Sequence, residues 1–83
     1  MKYTFPAILE EDENDPDYIV ISFPDLLGIG SECEKGKEEE IAKEILGLAL
    51  TSMHRRLIHP TDIKKLKRRF PKAYIVPVTV DVD

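Results

Sequence analysis

The chain has 83 residues, of which 42% are hydrophobic and 34% are charged. This length holds one domain rather than two, and the balance is typical of a globular protein rather than a disordered one. We therefore expect a single domain over residues 1–83. A domain of this size buries only about 60–65% of its unfolded surface, so a second copy or a partner is an expected source of stability.

The net charge of −4 is divided unevenly along the chain. Residues 1–50 contain 13 Asp and Glu against 4 Lys, a net charge of −9, whereas residues 51–83 contain 8 Lys and Arg against 3 Asp, a net charge of +5. This division excludes a uniformly basic nucleic-acid binder and a uniformly acidic protein.

Nothing in the sequence indicates export or membrane insertion. The only cysteine, Cys33, has no partner for an internal disulfide. The longest apolar run is Ile45–Leu50, whereas a membrane span needs about 20 residues. Met1–Pro6 lacks the apolar segment of a signal peptide. These features predict a cytoplasmic protein without membrane association.

The first half of the chain has the pattern of three strands. Lys2–Leu9 alternates at period two, Glu10–Asp17 is an acidic loop, and Tyr18–Phe23 is rich in β-branched and aromatic residues. Two strands joined by a short polar loop predict an antiparallel hairpin. Leu27–Cys33 is a weaker third strand, because it contains two glycines.

The second half predicts helices and a last strand. Apolar residues recur every three or four positions over Lys37–Leu57, with glutamates in the first turn. Gly47 inside this helix suggests close packing. Thr61–Phe70 predicts a short basic helix capped by Thr61 or Asp62, and Ala73–Val82 alternates as a strand.

The predicted class is α+β with the main element order β-β-β-α-β and one main helix packed on a sheet as a second layer. A helix between the third and last strands allows a parallel pairing, which makes the sheet mixed. Pro77 cannot donate a backbone hydrogen bond, so the last strand is expected at an edge with its odd-numbered residues outward. The position of Pro6 in the first strand stays open.

The residues provide no catalytic or metal-binding set. The acidic loop lacks the glycine and the final glutamate of a calcium-binding EF-hand loop. Cys33, His54 and His59 do not complete a structural zinc site. Cys33 and His54 are the only candidates for a nucleophile and base, and no motif surrounds them. We predict no catalytic residues, no metal and no cofactor, and hence a protein that is not an enzyme.

A run of cations marks the predicted short helix. Clustered cations attract phosphates, but aromatic residues for base stacking are not interleaved with them. The cluster is therefore either a nucleic-acid contact or a solvated helix face, which can also pair with the acidic half of a second copy. The candidate nucleic-acid contacts are Lys64, Lys65, Lys67, Arg68 and Arg69.

Two motifs resemble the HicB antitoxin family. Met1–Ala7 reads Met-Lys-Tyr-Thr-Phe-Pro-Ala, and Tyr18–Gly28 contains Phe-Pro-Asp-Leu-Leu-Gly. A helix with an acidic start, a Pro-Thr-Asp segment at 60–62 and a valine-rich last strand follow in the family's order. Leu27 stands where the family usually has proline, and the segment 30–37 lacks the family's usual Thr-x-Gly-Asp-Thr run.

The resemblance implies a partial ribonuclease-H-like fold with strand order 3-2-1-4 and one helix on the sheet. It implies a bacterial or phage antitoxin of a type II toxin–antitoxin pair, which binds and occludes a small basic HicA-type ribonuclease that cleaves mRNA. The family usually continues into a C-terminal DNA-binding domain, which we do not expect in this chain, because it ends at Asp83. The toxin-binding residues implied are Phe23, Pro24, Asp25, Leu26 and Gly28.

The expected function is thus an antitoxin-like interaction module that forms a homodimer or a higher homo-oligomer. The predicted dimer contact is the apolar outer strand face with Tyr18 and Val20. The alternatives are a small nucleic-acid-binding module that uses the basic segment 55–72, or an orphan dimeric domain without an assigned role.

Overall fold

The structure, a computed structural model, describes residues 1–26, 29–52 and 59–82. In these ranges the predicted α+β class is confirmed, and so is each predicted element, with small shifts of its ends. Leu27 and Gly28, at the predicted start of the third strand, and residues 53–57, at the predicted end of the main helix, lie outside the described residues. The elements are β1 (Lys2–Glu11), β2 (Tyr18–Ser22), β3 (Gly30–Glu34), α1 (Glu38–Ser52), α2 (Ile63–Arg69) and β4 (Tyr74–Asp81).

The strands form one sheet in the order β3-β2-β1-β4, as expected. All three pairings are antiparallel, so the prediction of a mixed sheet was wrong. A crossover with a single helix returns the chain for a parallel pairing. Here the connection contains a second helix, α2, and β4 begins at the end of the sheet where β3 ends.

The register between β1 and β4 explains how the central strand contains a proline. Pro6 is paired with Pro77. Val82 donates its backbone N–H to the carbonyl of Met1 at 2.8 Å. Because hydrogen-bonded pairs alternate with non-bonded pairs in an antiparallel ladder, the two prolines form a non-bonded pair. Pro6 also precedes the β1–β2 ladder, which begins at Ile8 and Ser22, so neither ladder needs its missing N–H.

The main core lies between α1 and one face of the sheet. Period-two alternation directs the odd-numbered residues of β1 and the even-numbered residues of β4 to this face, and the apolar stripe of α1 covers them. Its buried residues include Phe5, Ala7, Ile21, Phe23, Leu26, Cys33, Ala42, Leu46, Ala49, Leu50 and Val78.

A second, smaller core lies on the opposite face of the sheet. Leu66 of α2 packs there against Ile8 and Ile75. The odd-numbered residues of β4 are therefore not all directed to solvent, and that part of the prediction was wrong at Ile75. The error arose because the alternation of a strand defines two faces but does not identify the element that covers each one.

Gly47 does not mark close packing, contrary to the sequence-based interpretation. A Cβ atom placed there meets no neighbouring atom within 4 Å.

Since alanine is favoured over glycine inside a helix by about 1 kcal/mol, we predict that Gly47→Ala raises the free energy of unfolding by about 0.5–1 kcal/mol. Urea denaturation followed by circular dichroism measures this change, and a destabilised variant would contradict it.

Neither described helix is long and apolar enough to cross a membrane.

Candidate functional site

The residues that the resemblance assigns to toxin binding lie around the loop after β2. Phe23 and Leu26 are buried in the main core, whereas Pro24 is half-buried and Gly28 lies outside the described residues. The N–H of Phe23 donates to the carbonyl of Ile29 at 3.3 Å, which closes the loop. Two of the residues therefore support this surface from inside, and Pro24 and Asp25 are partly accessible to a partner.

Asp25 is held by a contact that the sequence did not reveal. Its carboxylate accepts a hydrogen bond from the backbone N–H of Thr61 at 2.9 Å and another from the Thr61 hydroxyl. Asp62, the next residue, caps α2 by accepting from the N–H of Lys64 at 2.9 Å. The Phe-Pro-Asp segment is thus tied to Thr61, 36 residues further along the chain and just before the start of the basic helix.

Exposed and half-buried carboxylates gather where the β1–β2 loop meets the end of β3. Val20 lies between Glu10 and Glu32 in a row across three strands, so both glutamates are on the face opposite α1. No cation lies in this row. We call the following group the acidic end: Glu10, Asp12, Glu13, Asp15, Glu32 and Glu34.

Two members of the acidic end interact directly. A hydrogen bond between the carboxyl groups of Asp12 and Glu32 lowers the pKa of Asp12 and raises the pKa of Glu32. The N–H of Asn14, which donates to Asp12 at 2.8 Å, lowers the pKa of Asp12 further. The pair consequently holds one proton between the two pKa values, with Glu32 as the donor.

Because of these pKa shifts, the stability of the fold depends on pH, and the sign of this dependence follows from the linkage between protonation and folding. The lowered pKa of Asp12 provides stability that is lost as the pH falls through it, whereas the raised pKa of Glu32 provides stability that is lost as the pH rises through it. The pair therefore stabilises the fold most between the two values.

We predict that Asp12→Asn lowers the pKa of Glu32, because the amide of asparagine can donate a hydrogen bond to the charged carboxylate. Carbon-13 NMR titration of the Glu32 side chain in the two proteins measures this shift. A Glu32 pKa that is the same in both proteins would contradict the paired arrangement.

The basic helix α2 presents its cations to solvent. All of the predicted contacts are exposed, while Leu66 points into the second core. Ion pairs of the described residues use the Met1 amino group, Lys35 and Lys43, and none uses a cation of α2. The guanidinium carbon of Arg69 lies 5.8 Å from the centre of the Phe70 ring. The structure thus places together Lys64, Lys65, Lys67, Arg68 and Arg69.

Two of the metal and thiol candidates, Cys33 and His59, lie among the described residues, in different environments. Cys33 is buried against α1, and burial raises the pKa of its thiol, with Glu38 and Glu34 adding to the effect. His59 is exposed, and His54 lies outside the described residues. Within the three described ranges, no group of three His, Cys, Asp or Glu side chains is arranged to hold a metal ion.

Comparison with protein-family models, curated proteins and solved structures finds no match for this chain.

Proposed function

We propose that the chain is an antitoxin-like interaction module that binds and occludes a small basic mRNA-cleaving toxin of the HicA type. The observation that carries this proposal is the acidic end, a group of exposed and half-buried carboxylates on the β1–β2 loop and on the strands beside it. Opposite charge on two partners accelerates their encounter and selects against wrong partners. A cationic protein that binds RNA is therefore a fitting partner for this surface.

The sequence motifs support the same proposal. The Phe-Pro-Asp segment that resembles the HicB family ends β2, and Asp25 joins it to Thr61 of the Pro-Thr-Asp segment. Two separate parts of the resemblance thus meet in space. In this proposal the toxin meets the loop at Pro24 and Asp25 and is attracted by the acidic end, while Phe23 and Leu26 hold the loop in place.

Co-expression with the small basic protein encoded by a neighbouring reading frame tests the proposal. The neighbouring product alone should arrest growth, and this chain should restore growth and co-purify with it. An unrelated acidic protein of similar size serves as the control for charge alone. Continued growth arrest, together with the absence of a complex, would overturn the proposal.

The second candidate function is binding of nucleic acid by α2, favoured by the exposed cations of this helix, which form no ion pair with any carboxylate in the described ranges. Each phosphate contact changes the slope of log K against log salt by about −0.9 for duplex DNA. Replacing Lys64 and Lys67 by glutamine should therefore reduce the slope by about two units, whereas Lys2→Gln with Lys37→Gln should leave it unchanged. Gel retardation that is insensitive to salt would exclude this function.

A further inference from the structure

The two edges of the sheet differ in their capacity to pair with another strand. At β3, the N–H of Lys35 donates to the carbonyl of Asp17 at 2.9 Å, and the N–H of Phe23 donates to the carbonyl of Ile29 at 3.3 Å. Between these two hydrogen bonds, hydrogen-bonded residue pairs of β2 and β3 alternate with non-bonded pairs. The backbone groups of Gly30, Glu32 and Glu34 therefore point away from β2, and all three residues are exposed.

The row of outward backbone N–H donors is interrupted at the β4 edge, whereas at the β3 edge it is continuous. Because Pro77 belongs to a non-bonded pair with Pro6, the nitrogen of Pro77 points outward, and it carries no hydrogen to donate. Proline at such a position blocks the addition of a strand. No residue of β3 is a proline, so each of its outward N–H groups is able to donate. Of its outward carbonyls, that of Glu34 already accepts from the N–H of Lys37 at 3.1 Å, and that of Glu32 accepts a long hydrogen bond of 3.5 Å from the Ser31 hydroxyl.

The two sides of the β3 edge have opposite chemistry. On the side of α1, a groove of about 280 Å³ is lined in part by Ile29, Ile45 and Leu48, and Leu48 is 68% exposed. On the other side are the carboxylates of Glu32 and Glu34. A strand added here would place alternate side chains in these two environments.

A second copy of β3 does not suit this edge. Antiparallel pairing of two β3 strands joins their outward-facing residues, so the glutamates of both copies would lie on one face. Like charges opposite each other destabilise a sheet. The edge instead favours an extended segment in which Lys or Arg alternates with apolar residues.

We propose that β3 is a docking edge for such a segment of the partner, which pairs with Gly30–Glu34 as a fifth strand. This inference rests on the proposed function, because it takes the partner to be a basic protein. The partner's cations lie beside Glu32 and Glu34, and its apolar side chains pack against Ile45 and Leu48. Main-chain hydrogen bonds provide the affinity, and the alternating side chains provide the specificity.

A peptide of seven residues that alternates Lys and Val, with blocked ends, is the first probe. In wild-type protein it should shift the NMR amide signals of Gly30, Glu32 and Glu34 and slow their hydrogen exchange. A peptide with Glu in place of Lys should not. Equal effects of both peptides, or signals that change at β4 instead, would overturn the inference.

Two substitutions of Glu32 separate the contribution of the backbone hydrogen bond to binding from that of the carboxylate charge. Glu32→Gln removes the carboxylate, whereas Glu32→Pro also removes the outward N–H, at a position that the β2–β3 ladder does not use. We expect the proline variant to bind the Lys-Val peptide about fivefold more weakly than the glutamine variant, the factor that one lost hydrogen bond gives. Equal affinities would overturn the inference. If the proline variant fails to fold, the comparison of the two peptides on the wild-type protein still tests it.

The same variants distinguish this inference from the proposed function. A basic partner that binds the proline and glutamine variants equally well would overturn docking at β3 and leave the antitoxin-like function intact. Binding of the Lys-Val peptide at β3 without any toxin-type partner would support the docking edge and overturn the proposed function.

Discussion

Replacing Phe23 by alanine should destabilise the chain by about 3–5 kcal/mol, the usual loss for a buried aromatic side chain. Phe23 is 2% exposed and packs in the main core beneath α1. Small domains have total stabilities near the lower end of about 5–15 kcal/mol, so a large fraction of the variant should be unfolded at 37 °C. Urea denaturation measures the loss.

The matched control is Pro24→Ala, at the neighbouring, half-buried position. Its loss should be within about 1 kcal/mol, since it leaves no cavity in the core. Comparing the two variants shows whether Phe23 of the Phe-Pro-Asp motif is a core residue or is available to a partner. If Phe23→Ala is as stable as Pro24→Ala, Phe23 is not a core residue and becomes available to a partner. With the expected loss, only the Pro24 variant tests partner binding.

The second large effect is expected at Leu66, the buried residue of α2. Leu66→Ala removes the side chain that packs on Ile8 and Ile75, a change that typically destabilises by about 2–5 kcal/mol. Because this core is separate from the main one, the loss should appear first as local opening of α2. Hydrogen exchange of the α2 amides should accelerate, while that of the α1 amides changes less.

Lys65→Ala is the control for Leu66→Ala, because Lys65 is exposed on the same helix. It changes helix propensity little, so amide exchange in α2 should stay near that of the wild type. Equal acceleration in both variants would show that the second core does not hold α2. Uniform acceleration over the whole chain would show that the two cores unfold as one unit.

Local patterns were sufficient to predict the elements of this fold. The alternation in β4 and the three- and four-residue spacing in α1 arise from contacts that each element makes along its whole length. The direction of β4 was not predictable in this way, because it depends on how the connection through α2 runs. The pairing of Pro6 with Pro77 joins residues that are far apart in the chain, and no local pattern contains that register.

The candidate site was predicted less completely than the fold. The cations of the basic cluster on α2 are all exposed, since consecutive cations on a short helix are seldom buried, and their role as nucleic-acid contacts stays a prediction. The role of Asp25 was missed, because its partner, Thr61, is distant in sequence. Phe23 and Leu26 were assigned to the surface with their motif, although their apolar side chains fit a core equally well.

The affinity of the chain for the small basic product of the neighbouring reading frame, measured by calorimetry, tests the central claim most directly. Two charge-reversal pairs, Glu13→Lys with Glu34→Lys and Glu40→Lys with Glu44→Lys, change the net charge equally, at the acidic end and on α1 respectively. We predict that the first pair weakens binding at least about tenfold at low salt and the second much less. Equal affinities for both pairs, or no binding by the wild-type chain, would contradict recognition through the acidic end.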